Sequence, residues 1–110
     1  MSITTIAQLH YDRLINQGRT EEEAIRMVNA WMMLTDLRND GPWLRVAEAL
    51  EMKTAQLSLY VNLKRPMKRE TFDRIASAHP KLLNKEDGFD ALWWEPMWGA
   101  MWNVVRSSAQ

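Results

Sequence analysis

Hydrophobic residues recur along this chain at intervals of three and four positions, which is the spacing of one face of an α-helix. Runs that alternate apolar and polar residues with many β-branched side chains, the pattern typical of strands, are nearly absent. The sequence therefore predicts an all-α fold, a compact helical bundle of five to seven short helices.

The first two predicted helices have clear end signals. The first covers residues 5–17 and ends at Gly18, because glycine readily takes the left-handed backbone of a C-terminal cap. The second begins after Thr20, which with Glu23 forms a capping box, and it stops at the breaker 39–41. Three apolar residues of the first helix fall near one stripe: Ile6, Leu9 and Leu14. The second has a longer helical pattern: Ala24, Ile25, Val28, Trp31, Met32 and Thr35.

Four further helical stretches follow. Pro42 suits the first turn of the third helix, because the amide it lacks would be unpaired there. Pro96 either kinks the last stretch or begins a separate final helix. The predicted ranges are 43–50, 54–63, 68–78 and 89–105.

Length and composition favour one folded domain. The chain has 110 residues, enough for one compact domain and too few for two, and 46% of them are hydrophobic, which argues against disorder. We expect a single domain over 1–106, with an extra N-terminal helix in 1–19, a core in 20–79 and a Trp-rich helix in 89–106. Residues 107–110 then form a tail.

Several classes of protein are not indicated by the sequence. The absence of Cys excludes disulfides and thiolate metal sites, and no signal-peptide pattern or apolar run of about 18 residues occurs, so we expect a cytoplasmic protein without a membrane span. The two histidines, His10 and His79, are far apart, and no phosphate loop, zinc motif or nucleophile elbow is present. We expect no enzyme activity, cofactor, metal or evident small-molecule ligand.

Charge is unevenly distributed along the chain. The net charge is zero, but residues 53–74 contain six basic and two acidic residues, so this segment is +4 and the remainder is −4. Such a block is typical of a directional electrostatic contact. The alternative is a solvated loop and helix face.

The segment WLRVAEALEMKTAQLSLYVN, residues 43–62, consists of two short helices joined by a turn. Small Ala47 lies where the two helices must approach closely. The residues spaced to fill the wedge between them are Val46, Leu50, Met52, Leu57 and Tyr60. The second helix has a small or polar outward face that suits the DNA major groove. This face consists of Thr54, Ala55, Ser58, Leu59 and Asn62.

This segment resembles the helix-turn-helix of the lambda-repressor and Cro-like DNA-binding domains. The resemblance covers about residues 21–78, and the positions that extend it are Ser58, Tyr60, Lys64-Arg65-Pro66, Thr71, Ile75 and Ala76. Two positions depart from the family pattern. Glu51 stands where the family has a glycine with positive φ, and Lys53 stands at the cap of the second helix, although Thr54 could serve one place later.

The resemblance implies a transcriptional regulator, in particular a phage- or plasmid-type autoregulatory repressor that binds operator DNA as a homodimer. The residues implied to face bases are Thr54, Ala55, Ser58 and Leu59, while Lys53 could contact base or phosphate. The implied phosphate contacts are Asn62, Lys64, Arg65 and Lys68. Asn62 could instead cap its helix, and Lys64 and Lys68 could serve solubility alone.

The aromatic C-terminal stretch has two interpretations. Its residues on one helical face are Trp94, Trp98, Met101, Trp102 and Val105. This face either packs on the core of the domain or forms a dimer or partner interface, where aromatic residues and Met are enriched. The second interpretation supports a rival function, a protein-interaction module such as an antitoxin or a phage-encoded inhibitor of a host protein.

Overall fold

The computed structural model describes residues 3–38, 42–78, 93, 95–96 and 98. Within these ranges the chain is all-helical, as predicted, and contains no strand. No helix there is long and apolar enough to cross a membrane. Five helices are described: α1 (Ile3–Asn16), α2 (Glu21–Arg38), α3 (Trp43–Ala49), α4 (Thr54–Val61) and α5 (Arg69–Ala78).

Helix α1 packs on α2 through a narrow stripe. Ala7 and Leu14 are buried, and Ile3 and Tyr11 pack against the core at the same helical spacing. The prediction that Leu9 shares the stripe of Leu14 is wrong, since Leu9 is 53% exposed. The two residues are five positions apart, which places them about 140° apart around a helix.

The predicted end of α1 and start of α2 are confirmed. Gly18 has φ +94°, and the Arg19 amide donates to the Leu14 carbonyl over 3.1 Å, which closes the α1 C-terminus in a Schellman motif. At α2, the Glu23 amide donates to the Thr20 hydroxyl over 3.2 Å, one half of the capping box. The Glu23 carboxylate lies instead 3.4 Å from the Arg19 guanidinium.

Helix α2 is the centre of the bundle and contacts each of the other four described helices. Because neighbours surround it, its buried residues do not fall on a single stripe. They are Ala24, Ile25, Met27, Val28, Asn29, Ala30, Met32, Met33, Leu34 and Asp36.

Helices α3 and α4 pack against each other across the turn at residues 50–53. All six residues predicted to lie between them are buried: Val46, Ala47, Leu50, Met52, Leu57 and Tyr60. Pro42 is the N-cap residue of α3, one place before the first turn where the sequence pattern put it. Glu51 has φ 54°, so the turn needs a left-handed residue at the position where a glycine was expected.

Replacing Glu51 by glycine is expected to raise the free energy of unfolding by about 0.5–1 kcal/mol, because glycine adopts positive φ without the penalty of a side chain. Chemical denaturation of the Glu51→Gly variant measures the change. Glu51→Gln is the matched control, since it removes the charge and keeps the strained backbone. Equal stability of the two variants would contradict a backbone origin for the effect.

The C-terminal residues that the structure describes are held by the three surrounding helices α1, α2 and α5. The Asn29 side-chain amide of α2 donates to the Glu95 carbonyl over 2.9 Å, and the Trp98 indole N–H donates to the Gln8 side chain of α1 over 2.8 Å. Trp93 packs edge-on against Phe72 of α5, with ring centroids 5.1 Å apart. These contacts attach the described C-terminal residues to the helical bundle.

Trp93 also lies between two guanidinium groups. Arg26 of α2 stands 4.4 Å from its ring centroid and Arg69 of α5 stands 5.4 Å from it, each at cation–π distance. The chain leaves helical geometry at Glu95 and Pro96, as expected for a proline at this point. Trp98 lies in a turn, and apart from these residues and Trp93 the predicted helix at 89–105 lies outside the described residues.

Candidate nucleic-acid interface

The outward face of α4 lies opposite its buried anchors Leu57 and Tyr60. Four of the five residues predicted to face bases are exposed, and Leu59 is half-buried. The exposed four are Lys53, Thr54, Ala55 and Ser58. This face presents hydroxyls, a methyl group and one cation, with no bulky side chain to hold a second surface away.

Three exposed cations follow α4 in the chain. Lys64, Arg65 and Lys68 lie in the segment that connects α4 to α5, and none of their side chains makes a hydrogen bond or ion pair within the described part of the chain. The same holds for Lys53 at the other end of α4. These four charges are therefore available to a negatively charged partner.

The other two cations of the basic segment are used inside the protein. The Arg69 Nε atom lies 2.9 Å from an oxygen of Asp73, and the Arg74 guanidinium donates to the Leu50 carbonyl over 3.2 Å. Counting charges along the sequence cannot separate these structural arginines from the exposed cations. Only the fold identifies which charges remain free.

Asn62 caps the end of α4. Its side-chain amide nitrogen donates to the Ser58 carbonyl and to the Ser58 hydroxyl, each over 2.9 Å. Both of its donor hydrogens are therefore engaged, and a phosphate offers only acceptor oxygens. In this geometry Asn62 takes the capping role that was the alternative to a phosphate contact.

Lys53 is the N-cap residue of α4 and makes no side-chain hydrogen bond to the helix. Thr54 does not serve as the cap, because it is already the first helical residue. The first amides of α4 therefore lack a side-chain acceptor from this cap, and a cation stands at the positive end of the helix dipole. A lysine at the N-cap lowers the local stability of α4, which is consistent with a role for Lys53 outside the stability of the fold.

The Lys53→Ser variant is expected to gain about 1 kcal/mol in the free energy of unfolding, because a serine hydroxyl caps the free amides. Its affinity for DNA is expected to fall by on the order of fivefold, the effect of one lost phosphate contact. Denaturation and DNA titration measure the two changes. Lys53→Ala is the control, since it removes the charge without adding a cap. A rise in DNA affinity for either variant would contradict the assignment of Lys53.

Sequence reasoning missed a groove of about 450 Å³ beside α4. Its lining residues come from the end of α2, the start of α3 and one side of α4: Arg38, Trp43, Thr54, Leu57, Ser58, Val61 and Asn62. The Arg38 guanidinium lies 5.1 Å from the centroid of the Trp43 ring. Neither of these two residues stands out by sequence pattern, since their contact depends on the packing of α2 against α3.

The described histidine is engaged in packing. His10 contacts Trp31 edge-on at 4.8 Å between ring centroids, and its Nδ1 atom lies 3.0 Å from the Arg13 guanidinium. Burial, and then the charge of Arg13, lower the pKa of His10. Among the described residues, no group of three or more His, Asp or Glu side chains is placed to hold a metal ion.

The residues suggested for a dimer or partner interface are described only in part. Trp98 is 9% exposed, and its ring packs at 5.5 Å from that of Tyr11, with its N–H bonded to Gln8. Trp98 thus lies in the core of its own chain, which was one of the two interpretations of the aromatic stretch. The other three suggested residues lie outside the described part of the chain: Trp94, Met101 and Trp102.

Comparison of the chain with protein-family models, curated proteins and solved structures finds no match. Its function is therefore inferred from its own residues and their geometry.

Proposed function

We propose that this protein is a sequence-specific DNA-binding regulator in which α3 and α4 act as a helix-turn-helix, with α4 as the recognition helix. The observation that carries the proposal is the accessible face of α4, small and polar, with exposed cations at both ends of the helix. A helix of this kind can enter the major groove, while the flanking cations contact phosphates.

The turn geometry supports the same proposal. Glu51 at φ 54° and the Met52 amide, which donates to the Ala47 carbonyl over 2.9 Å, close the short turn between α3 and α4. Burial of Leu50 and Leu57 between the two helices fixes their relative orientation. A rigid support of this kind keeps the α4 face in register with base edges.

Charge is distributed asymmetrically along the chain. The segment that contains α4 is +4 and the remainder of the chain is −4. A duplex approaching with its phosphates would be attracted to the exposed cations on either side of α4. This asymmetry favours one docking orientation at zero net charge.

The proposed biological role is that of a homodimeric repressor of its own operon, of the phage or plasmid type. One recognition helix of eight residues spans few base pairs, and a two-fold dimer doubles the length of sequence that is read. Occupation of a promoter by such a dimer would block transcription.

The test is titration of the purified protein with DNA from its own upstream region and with an unrelated duplex, over a series of salt concentrations. We expect preference for the upstream DNA and a log–log salt slope of about −3.6 per monomer, since four free cations each contribute about −0.9. A folded protein that binds neither duplex would overturn the proposal and favour the protein-interaction module.

A further inference from the structure

The groove beside α4 has the size of a small-molecule site. Its volume of about 450 Å³ falls within the range of about 300–1,000 Å³ that is usual for ligand pockets. Buried Leu57 and half-buried Val61 and Trp43 provide apolar walls. The hydroxyls of Thr54 and Ser58 stand at its exposed side and can position a polar group.

Among the described residues that line the groove, one carries a formal charge, the guanidinium of Arg38. Within the described part of the chain, Arg38 contacts the Trp43 ring and forms no ion pair with a carboxylate. Arg38 and Trp43 both line the groove, and the planar donors of the guanidinium make no hydrogen bond with the described residues, so they can bind an anion. A carboxylate matches those donors in a bidentate arrangement.

We propose that this groove binds a small aromatic carboxylate, with its carboxylate on Arg38 and its ring against Trp43 and Leu57. The groove combines one cation with an apolar wall, which fits a ligand that has one anionic end and a flat apolar body. Hydroxyl or amino substituents on the ring would reach the Thr54 and Ser58 hydroxyls. The site is distinct from the cations Lys64, Arg65 and Lys68.

The ligand would also regulate the proposed DNA interface, and this part of the inference depends on the proposed function. Thr54 and Ser58 line the groove and also belong to the face of α4 assigned to base contacts. A bound carboxylate would occupy this side of α4 and bring a negative charge next to the phosphates. Ligand and DNA would therefore exclude each other, which makes the groove an inducer site.

The experiment uses benzoate as the probe and follows the ¹H–¹⁵N spectrum of the full chain without DNA. We expect saturable shifts of the Trp43 indole N–H and of the Thr54 and Ser58 amides, with a dissociation constant on the order of 1 mM for so small a ligand. Arg38→Gln is expected to weaken benzoate binding at least tenfold. Arg45→Gln is the matched control, because Arg45 is an exposed arginine of α3 that does not line the groove.

Neutral benzamide separates the contribution of the carboxylate charge to binding from that of the aromatic ring. We expect it to bind more weakly than benzoate in the wild-type protein and equally in wild type and Arg38→Gln. Absence of shifts at 20-fold the expected constant, about 20 mM, or equal loss of binding in Arg38→Gln and Arg45→Gln, would overturn the groove assignment. The ¹H–¹⁵N spectrum of each variant also shows whether the variant is folded, so that a loss of binding is not confused with unfolding.

Addition of benzoate to the complex with upstream DNA tests regulation separately. Release of DNA by benzoate, and not by benzamide, supports the inducer site. Shifts at the groove without any DNA binding would leave the ligand site standing and overturn the proposed function. DNA binding that benzoate leaves unchanged, at concentrations that saturate the groove, would overturn the mutual exclusion.

Discussion

Replacing Lys64, Arg65 and Lys68 together by glutamine is expected to lower the affinity for upstream DNA about 100-fold at 0.15 M salt and to reduce the magnitude of the log–log salt slope by about 2.7. All three side chains are exposed and make no ion pair within the described residues, so their loss removes phosphate contacts without breaking the fold. Fluorescence anisotropy with labelled duplexes measures affinity and slope in the same titrations.

Arg13→Gln is the control for this triple variant. Arg13 is an exposed cation of α1, whose main neighbour is α2. We expect unchanged DNA affinity for this control and an unchanged free energy of unfolding for the triple variant. If the triple variant binds as tightly as the wild type, with the same slope, the basic segment is a solvated surface and α4 does not face DNA.

Trp98→Ala is expected to reduce the free energy of unfolding by about 3–5 kcal/mol, the usual range for removal of a buried tryptophan. The indole is 9% exposed, packs against Tyr11 and donates its N–H to Gln8, so its loss opens a cavity and leaves the Gln8 oxygen without that partner. Urea denaturation measures the change, and sedimentation velocity measures the oligomeric state of the folded variant.

Trp98→Phe separates packing from hydrogen bonding. A phenyl ring keeps the contact with Tyr11 and loses the N–H, so a cost of about 1 kcal/mol is expected. The interface interpretation gives the opposite pattern for Trp98→Ala, a dimer that dissociates while the unfolding midpoint of the monomer stays the same. That result would mean that Trp98 forms a contact between two chains and does not belong to the core of one chain.

Local signals account for the parts of the fold that the sequence could predict. The left-handed Gly18 and the Thr20 cap act within one helical turn, so their structural effect is independent of the rest of the chain. The residues between α3 and α4 were also identified, because two helices joined by a short turn must bury the sides that face each other. The positive φ at Glu51 was expected from the resemblance, which has a left-handed glycine at this position.

The features that the sequence could not predict depend on distant neighbours. The helical spacing of Ala7, Tyr11 and Leu14 defines the buried side of α1, but the packing of Trp98 on Tyr11 requires a residue from the far part of the chain. The structural use of Arg74 requires the Leu50 carbonyl 24 residues away. The groove at Arg38 lies where α2, α3 and α4 pack together. The spacing of residues along the sequence does not show how these three helices pack.

The hydrogen bond between Trp98 and Gln8 joins residues that are 90 positions apart, and this separation affects the order in which the protein can fold. Contacts of such length close late, because the entropy lost in bringing distant segments together must be offset by structure already formed. During synthesis, Tyr11 and the neighbouring surface of α1 stay uncovered until Trp98 has been added. We therefore expect the five described helices to pack together first and the contacts of Trp98 with Gln8 and Tyr11 to form last.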